Sequence, residues 1–149
     1  MHYQHLLVAV DDSDVSLAAA EEALILAKVL KCKVTLVSVV SLDPLSNTSF
    51  YGKALSATDY YSEAVAHAKN TLSTLKLKFT NAGISTDAKI LGNMAESHAI
   101  TQLANELNVD LIVMGSHGRT GFKKIALGSV AQDVLTLSHV PVLIIKHTQ

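Results

Sequence analysis

Short apolar runs alternate with helical stripes along this chain of 149 residues, and this alternation constrains the fold more than any other feature. Leu6–Val10 is apolar at every position, which suits a strand that is buried on both faces of a parallel sheet. From Leu17 to Lys31, the residues of one stripe recur at spacings of three and four, as in a helix with one buried face. The same two patterns repeat to the end of the sequence.

The patterns predict strands and helices in regular succession. Strands are expected at Leu6–Val10, Lys33–Val40, Ile84–Leu91, Asp110–Met114 and Val140–Ile145. Helices are expected at Leu17–Lys31, at Tyr61–Ala82 with Gly83 as its stop, from a capping box of Asn93 and Glu96 through Leu107, and at Ser129–Leu137. Residues 41–58 show no period and predict a long loop. The chain is therefore predicted to be one α/β domain over residues 1–149, a parallel sheet covered by helices on both faces.

Composition and charge exclude several classes of function. With 12 Lys+Arg against 13 Asp+Glu, the chain lacks the basic excess that nucleic acid binding requires. Cys32 is the single cysteine, which excludes an internal disulfide or a multi-cysteine zinc site, and the scattered histidines predict no metal site of their own. No apolar run approaches a membrane span of about 20 residues. No signal peptide is expected, so the cytoplasm is the expected location.

Unusual residues follow two of the predicted strands, at the ends where open α/β sheets bind their ligands. The polar segment Asp11–Ser13 follows the first strand, and Gly115 opens a glycine-rich stretch after the fourth. Four of the chain's seven glycines fall in positions 115–128, and glycine lets the backbone bring successive N–H groups close to an anion. Gly128-Ser129 lies where the next helix is predicted to begin, so helix amides and the helix dipole are expected to face the same anion.

Two alternatives stay open for these segments. One alternative is that the glycines serve only the turns of an ordinary strand-to-helix loop, and the other is that Asp11–Ser13 only caps the first helix. For phosphate binding, Arg119, Lys123 and Lys124 would neutralise charge from the rim. The P-loop pattern and the G-x-G-x-x-G pattern are both absent, so neither conventional NTP hydrolysis nor hydride transfer is favoured. Ser116 and His117 are adjacent, and we do not expect them to share a hydrogen bond or to carry out acyl transfer.

These residues resemble the universal stress proteins. Gly115-x2-Gly118-x9-Gly128-Ser129 matches that family's nucleotide motif, G-x2-G-x9-G-[ST], in full. Val8–Ser13 resembles its V-A-V-D-x-S start, Leu111–Arg119 resembles its L-I-V-M-G-S-x-G-R segment, and Pro141–Ile145 fits its last strand. The matching segments span nearly the whole chain in the correct order. The intact glycine motif is typical of the subgroup that binds ATP.

The resemblance implies a Rossmann-like fold of the adenine nucleotide alpha hydrolase type, an open sheet in the order 3-2-1-4-5. It also implies a site for ATP, AMP or ADP, in which Asp11 holds the ribose or a Mg²⁺ ion bound through phosphate and the backbone of Val39 meets adenine. Gly118, Gly128, Ser129 and Val130 would donate to the phosphates. The implied site residues are Ala9, Val10, Asp11, Val39, Met114, Gly115, Gly118, Arg119, Gly128, Ser129 and Val130.

The function implied by the resemblance is a nucleotide-dependent module of stress response or signalling, with at most slow ATP hydrolysis. It also implies homodimers paired through the last strand, Val142–Ile145, which is apolar and expected at a sheet edge. The alternative is a homodimeric interaction module with an unidentified client protein that binds no nucleotide in the cell. Many relatives have glycine where this chain has Asp12, whose carboxylate either repels phosphate or helps to hold Mg²⁺.

Overall fold

A computed structural model describes residues 2–41, 57–117 and 127–146. Strands and helices alternate in the predicted order within these ranges. The strands are β1 (His5–Ala9), β2 (Lys33–Val40), β3 (Thr86–Gly92), β4 (Leu111–Gly115) and β5 (Val142–Ile145). The helices are α1 (Asp14–Leu30), α2 (Ala57–Asn81), α3 (Glu96–Glu106) and α4 (Ser129–Leu137). Most bounds lie within one or two residues of those predicted from the sequence.

The strands form one parallel sheet in the order β3-β2-β1-β4-β5, and this confirms the expected fold. β1 lies at the centre of the sheet, where Leu6, Leu7 and Val8 are completely buried. β3 and β5 form the two edges, and β3 carries the polar residues that predicted an edge position. The strand order reverses between β1 and β4, and crevices at such points are where open α/β sheets bind ligands.

Helices cover both faces of the sheet, as predicted. On one face, α1 and α2 pack against alternate strand residues such as Leu6, Val34 and Val113. On the other face, α3 and α4 pack against the strand residues that alternate with those of the first face, such as Leu7 and Ile112. The alternation follows from the strand geometry, in which successive side chains point to opposite faces. Both faces of the central strands are thereby buried.

The first two helices end as the sequence suggests. Ser13 is the N-cap of α1, and the helix ends at Lys31, whose backbone is left-handed with φ 55°. Cys32 follows as a buried residue in the connection to β2, as expected. Gly83 follows α2 with φ +82°, a conformation that glycine adopts without steric cost. The predicted stop at Gly83 is confirmed, with the last helical residue at Asn81.

Two local predictions are wrong. The expected capping box of Asn93 and Glu96 is not formed, because the N-cap of α3 is Ala95, which makes no side-chain capping hydrogen bond. Asn93 instead has a left-handed backbone with φ 64°, which asparagine tolerates better than most residues. The loop predicted over residues 41–58 is shorter at its end, since α2 already begins at Ala57. Residues 42–56 lie outside the described part of the chain.

Candidate functional site

The register of the sheet aligns the predicted site residues of neighbouring strands. Ala9 of β1 is paired with Val37 of β2, so Asp11, which lies two residues beyond β1, is level with Val39 of β2. On the other side, Val8 is paired with Val113 of β4, which brings the end of β4 beside the end of β1. Adjacent strands lie about 4.8 Å apart. The predicted site segments come from separate parts of the sequence, and they therefore meet at the edge of the sheet formed by the carboxyl ends of the strands.

Asp11 organises the turn between β1 and α1. Its Oδ1 atom accepts hydrogen bonds from the Ser13 amide at 2.8 Å and from the Ser13 hydroxyl at 2.5 Å. The Asp11 amide donates to the Ser16 hydroxyl at 2.7 Å, and the Ser16 amide donates to Ser13 Oγ at 3.2 Å. Ser13 thus caps α1, as expected in the alternative that assigned Asp11–Ser13 to helix capping. Capping does not exclude ligand contact, because a carboxylate has about four acceptor positions on its two oxygens.

The end of β4 is tied to the beginning of α4. The Ser116 amide donates to the Ile145 carbonyl at 2.8 Å, and the Gly128 amide donates to the Ser116 carbonyl at 2.7 Å. Gly128 is the N-cap of α4. Its amide is therefore already used within the protein, whereas the resemblance had assigned it to a phosphate. Ser129 and Val130 open the helix, where the amides have no carbonyl partner within the helix itself.

Two glycines of the motif are required by packing. A Cβ atom at Gly115 would lie 3.1–3.2 Å from three atoms of Val15 in the first turn of α1, and one at Gly128 would lie 2.9 Å from the Ser116 carbonyl oxygen. These glycines allow β4 to pack against α1 and α4 to approach β4. This supports the alternative that the glycines serve the geometry of the loop. Gly118 and Arg119 lie outside the described residues, as do Lys123 and Lys124.

Ser116 and His117 share a hydrogen bond, so the expectation that these neighbours would not do so is wrong. Ser116 Oγ and His117 Nδ1 are 3.0 Å apart. The backbone of Ser116 is fixed at this turn by its hydrogen bonds to Ile145 and Gly128. The Nε2 atom of His117 is buried and has no hydrogen-bond partner among the described residues. When Nδ1 accepts from the Ser116 hydroxyl, Nε2 carries the proton and is a donor, as an anionic ligand requires.

The remaining predicted site residues offer mainly backbone atoms. Val10 and Met114 are 4% and 5% exposed, so their side chains belong to the core. The Val10 amide donates to the Val37 carbonyl at 2.8 Å. Ala9 and Val39 are partly buried and pack against the cluster on the α3 and α4 face. The contact between the Val39 backbone and adenine that the resemblance implied stays a prediction.

One pair at this edge was not predicted from the sequence. Asp12 Oδ2 lies 3.1 Å from Nε2 of His67, which α2 contributes from 55 positions along the chain. His67 is not part of the apolar stripe of α2, and no local motif marks it. Only the packing of α2 beside α1 reveals the contact. Within the residues described, no group of three or more His, Cys, Asp or Glu side chains is placed to hold a metal ion.

Comparison with known proteins identifies the family. The family model described as "Universal stress protein family" matches residues 2–146. The chain belongs to the universal stress protein family. This universal stress protein is 32% identical to universal stress protein YxiE of Bacillus subtilis over 97% of its own length and 99% of that protein. It is 31% identical to universal stress protein MJ0531 of Methanocaldococcus jannaschii, over 97% of its length and 82% of that protein.

Solved structures share the fold of this universal stress protein. The hypothetical protein MJ0577 superposes with a TM-score of 0.84 at 26% identity, over 100% of this chain and 99% of that one. A universal stress protein in complex with cAMP gives a TM-score of 0.70 at 23% identity, over 99% and 100% of the two chains. One from Archaeoglobus fulgidus in complex with dAMP gives 0.68 at 24% identity, over 98% and 100%. At these last two identities the likeness shows the fold alone.

Proposed function

We propose that this universal stress protein binds an adenine nucleotide (ATP, ADP or AMP) at the carboxyl ends of β1 and β4. The single observation that carries the proposal is the junction of three elements at that edge. Asp11 lies two residues beyond β1, Ser116 directly follows β4, and the bond from Gly128 to Ser116 fixes the N-terminus of α4 beside them. A helix N-terminus at a topological switch point suits a phosphate group.

Each part of the nucleotide has residues that suit it. The amides of Ser129 and Val130 lie at the positive end of the α4 dipole and would donate to phosphate oxygens. His117 Nε2 is a buried atom available for a further donor bond. The backbone of Val39 would meet adenine, and Asp11 would hold the ribose hydroxyls. Gly118 and Arg119 complete the proposed set from the sequence motif.

A Mg²⁺ ion, when bound with the nucleotide, would shield phosphate charge. In the alternative arrangement, Asp11 is the protein ligand of this ion instead of holding the ribose, and the nucleotide and water would supply the other ligands, as is usual for this ion. We propose at most slow hydrolysis and a role for ATP as a conformational ligand. The complexes of two proteins of the same fold with cAMP and dAMP support an adenine nucleotide as the ligand.

The experiment has two arms. Protein purified without added nucleotide is denatured, and the released small molecules are separated by chromatography. In parallel, the melting temperature is titrated with Mg-ATP, ADP and AMP, with GTP as a control for the base. At a ligand concentration of 100 times Kd, one site adds about 2.7 kcal/mol to the free energy of unfolding. The absence of copurified nucleotide and of any shift at millimolar ATP would contradict the proposal.

A matched pair of variants locates the site. Asp11→Asn removes one charge at the proposed ribose position but keeps an oxygen that accepts from Ser13. Asp133→Asn makes the same chemical change on the exposed side of α4. We expect the first variant to lose affinity and the second to bind like the parent. Equal affinities for both variants would place the nucleotide elsewhere.

A second candidate function is supported by the edge strand β5. All four of its residues, Val142–Ile145, are only partly buried, although they are apolar, and one side of the strand has no neighbouring strand in the described sheet. Edges of this kind offer unpaired backbone groups to a partner strand. We propose homodimers paired through β5, with the cytoplasm as their location and a client protein still to be identified. Without copurified nucleotide, this interaction module would be the favoured function.

A further inference from the structure

One side of the edge strand β3 (Thr86–Gly92) faces no other strand of the described sheet, and its other side pairs in parallel with β2. β3 has seven residues, whereas β5, the opposite edge strand, has four. An open edge of this length offers backbone donors and acceptors to another chain. Which chain fits depends on the backbone groups that point outward and on the side chains beside them.

The pairing of β3 with β2 determines the direction of its backbone groups. Val34 of β2 is the register partner of Thr86, and the Val34 amide donates to the Ser85 carbonyl at 2.9 Å. In a strand, the N–H and C=O groups of one residue point to the same side, and successive residues alternate. The groups of Ser85, Asp87 and Lys89 therefore point toward β2. The three residues that alternate with them direct both groups outward: Thr86, Ala88 and Ile90.

Two side chains of opposite charge stand beside these outward groups. Asp87 and Lys89 are two positions apart, so both lie on the face of the sheet where Leu91 packs. On that face α3 packs over β2, and both side chains are exposed. Neither forms an ion pair within the residues that the structure describes. An acid and a base are thus held at a fixed spacing along an open edge.

A second copy of β3 fits this edge when it runs antiparallel and a twofold axis passes between the two Ala88 residues. Ala88 then exchanges both of its hydrogen bonds with Ala88 of the second copy, and Thr86 pairs in the same way with Ile90. Asp87 lies opposite Lys89 of the second copy at two symmetric positions. These are non-hydrogen-bonded positions, where Cα atoms are about 4.5 Å apart and opposite charges attract across the strands.

Other registers of the same pairing lack this match of charges. An axis through position 87 would place Asp87 opposite its own copy, and an axis through position 89 would do the same with Lys89. Like charges directly opposite each other are destabilising. An axis through Ile90 would place Lys89 opposite the apolar Leu91. A lysine on an edge strand ordinarily prevents pairing, but the register about Ala88 gives each lysine a carboxylate.

We propose that β3 recognises a second copy of this chain by antiparallel pairing about Ala88. The two Asp87–Lys89 ion pairs select the partner strand and its register. The pairing is weak, because Thr86 is only 8% exposed and exposed ion pairs add little affinity, so it forms at high protein concentration. The inference goes beyond the proposed nucleotide site and concerns the edge opposite β5. A protein that pairs through both edges would assemble beyond dimers.

Charge-reversed variants test the register. They are made in a Val142→Lys background, which removes the proposed pairing through β5 and leaves the chain monomeric in dilute solution. Asp87→Lys and Lys89→Asp each turn both attractive contacts of the dimer into repulsive ones. We expect each to raise the dissociation constant of the dimer about tenfold, measured by sedimentation equilibrium of concentrated protein. Asp133→Lys, on the exposed side of α4, makes the same charge change as Asp87→Lys and should leave the constant unchanged.

Two combinations should restore the pairing. In an equimolar mixture of Asp87→Lys and Lys89→Asp, each contact of the mixed dimer joins a lysine to an aspartate. The double variant Asp87→Lys/Lys89→Asp has the net charge of the background protein and exchanges the two ends of each ion pair. Both should associate within about threefold of the Val142→Lys protein. General damage to the fold would not be repaired by mixing two damaged chains.

Ala88→Pro tests the backbone contacts. The Ala88 N–H group points away from β2, so proline at this edge position removes a donor to the second copy while the ladder within the protomer is kept. We expect the association to be lost and the circular dichroism spectrum to stay that of a folded protein. Should Ala88→Pro not fold, the mixing experiment decides by itself.

The proposal is overturned if the Val142→Lys protein stays monomeric at every concentration. It is also overturned if the charge-reversed variants associate as tightly as that protein, or if their mixture associates no more tightly than either variant alone. A dimer that survives Ala88→Pro in a folded protein lies on another surface, which has the same consequence. Nucleotide binding is measured separately, so the failure of this proposal and the failure of the proposed function are distinguishable.

Discussion

The amide of Gly128 donates to the carbonyl of Ser116 at 2.7 Å and so fixes the start of α4 to the end of β4. Both residues lie within the glycine motif, where the spacing of Gly115, Gly118 and Gly128 was the main sequence evidence for a ligand site. The bond supplies a structural reason for the last glycine of that motif. It also orients the first turn of α4 toward the ends of the central strands.

Gly128→Ala should destabilise the protein. The added Cβ would lie 2.9 Å from the Ser116 carbonyl oxygen and 3.3 Å from the His117 Cα, and both are backbone atoms that cannot rotate away. Overpacking of this kind typically costs about 1–3 kcal/mol. Urea unfolding measures the free energy difference. Asp133→Ala, on the exposed side of the same helix, is the control, and a Gly128→Ala protein as stable as this control would show that α4 shifts freely.

Ser129→Pro should weaken ATP binding while the fold is kept. Ser129 is the first residue of α4, where proline fits because its missing N–H has no helical partner. Gly128 before it has ψ 155°, which a following proline requires. Loss of one amide donor to a charged phosphate is expected to lower ATP affinity by about tenfold or more. Calorimetry measures the change.

Two variants control for the loss of the serine hydroxyl and for the introduction of proline. Ser129→Ala keeps the amide and should lose less affinity than Ser129→Pro. Asp14→Pro introduces proline at the first residue of α1, where Ser13 before it has ψ 151°, and should leave ATP affinity nearly unchanged. Equal affinity for ATP in Ser129→Pro and the parent would exclude this amide from the site.

The succession of strands and helices could be predicted from the sequence because its determinants are local, whereas the strand order of the sheet was implied only by the family resemblance. The apolar run Leu6–Val10 and the stripes at spacings of three and four specify each element from neighbouring residues. The edge position of β3 was predicted from its polar residues. The start of α3 could not be predicted in the same way, because both Asn93 and Ala95 precede the helix and only the backbone conformation decides which one is the cap.

The candidate site could be predicted only in part. Asp11, Gly115 and Ser129 stand at strand and helix ends that the pattern itself locates. The Asp12–His67 contact joins residues 55 positions apart, so it depends on how α2 packs, which no local pattern contains. The use of the Gly128 amide within the protein likewise depends on the position of Ser116 in three dimensions.

The free energy of unfolding should fall as the pH decreases below about 6.5 because of His5. His5 is 6% exposed, and burial, followed by the charge of Lys33, lowers its pKa from 6.5, against the opposite effects of the Leu107 backbone, Asp110 and Asp87. The unfolded chain then takes up a proton at a higher pH than the folded protein. The stability that His5 contributes is present above its unfolded pKa and is lost as the pH falls toward its folded pKa.

Urea unfolding at a series of pH values measures this decline. His5→Gln should be less stable at neutral pH by about 1 kcal/mol, because His5 Nε2 is hydrogen-bonded to Thr35 Oγ1 at 2.8 Å, but its stability should depend less on pH. His139→Gln removes an exposed imidazole and should keep the slope of the parent. An unchanged slope in His5→Gln would show that other groups cause the decline.

Cys32 should be unreactive in the folded protein. It is 6% exposed in the connection between α1 and β2, and burial raises the pKa of its thiol. Because the thiolate is the reactive form, alkylation with iodoacetamide at pH 8 should be much slower than in urea. Mass spectrometry follows the reaction, and as the chain has one cysteine, the signal is unambiguous. Equally fast alkylation in both states would place the thiol at the surface.

Val142→Lys should convert the proposed homodimer into monomers. Val142 lies on the edge strand β5 and is partly buried, and a lysine there places charge at the edge that would pair with its copy. Val29→Lys is the matched control, since Val29 is an apolar residue of α1 that is 74% exposed. Circular dichroism first establishes that both variants are folded, and sedimentation then gives their mass. In a dimer paired through β5, the two introduced lysines would be buried near each other, and their repulsion would lower the affinity. A folded Val142→Lys protein that keeps the mass of a dimer in dilute solution would therefore exclude β5 as the interface.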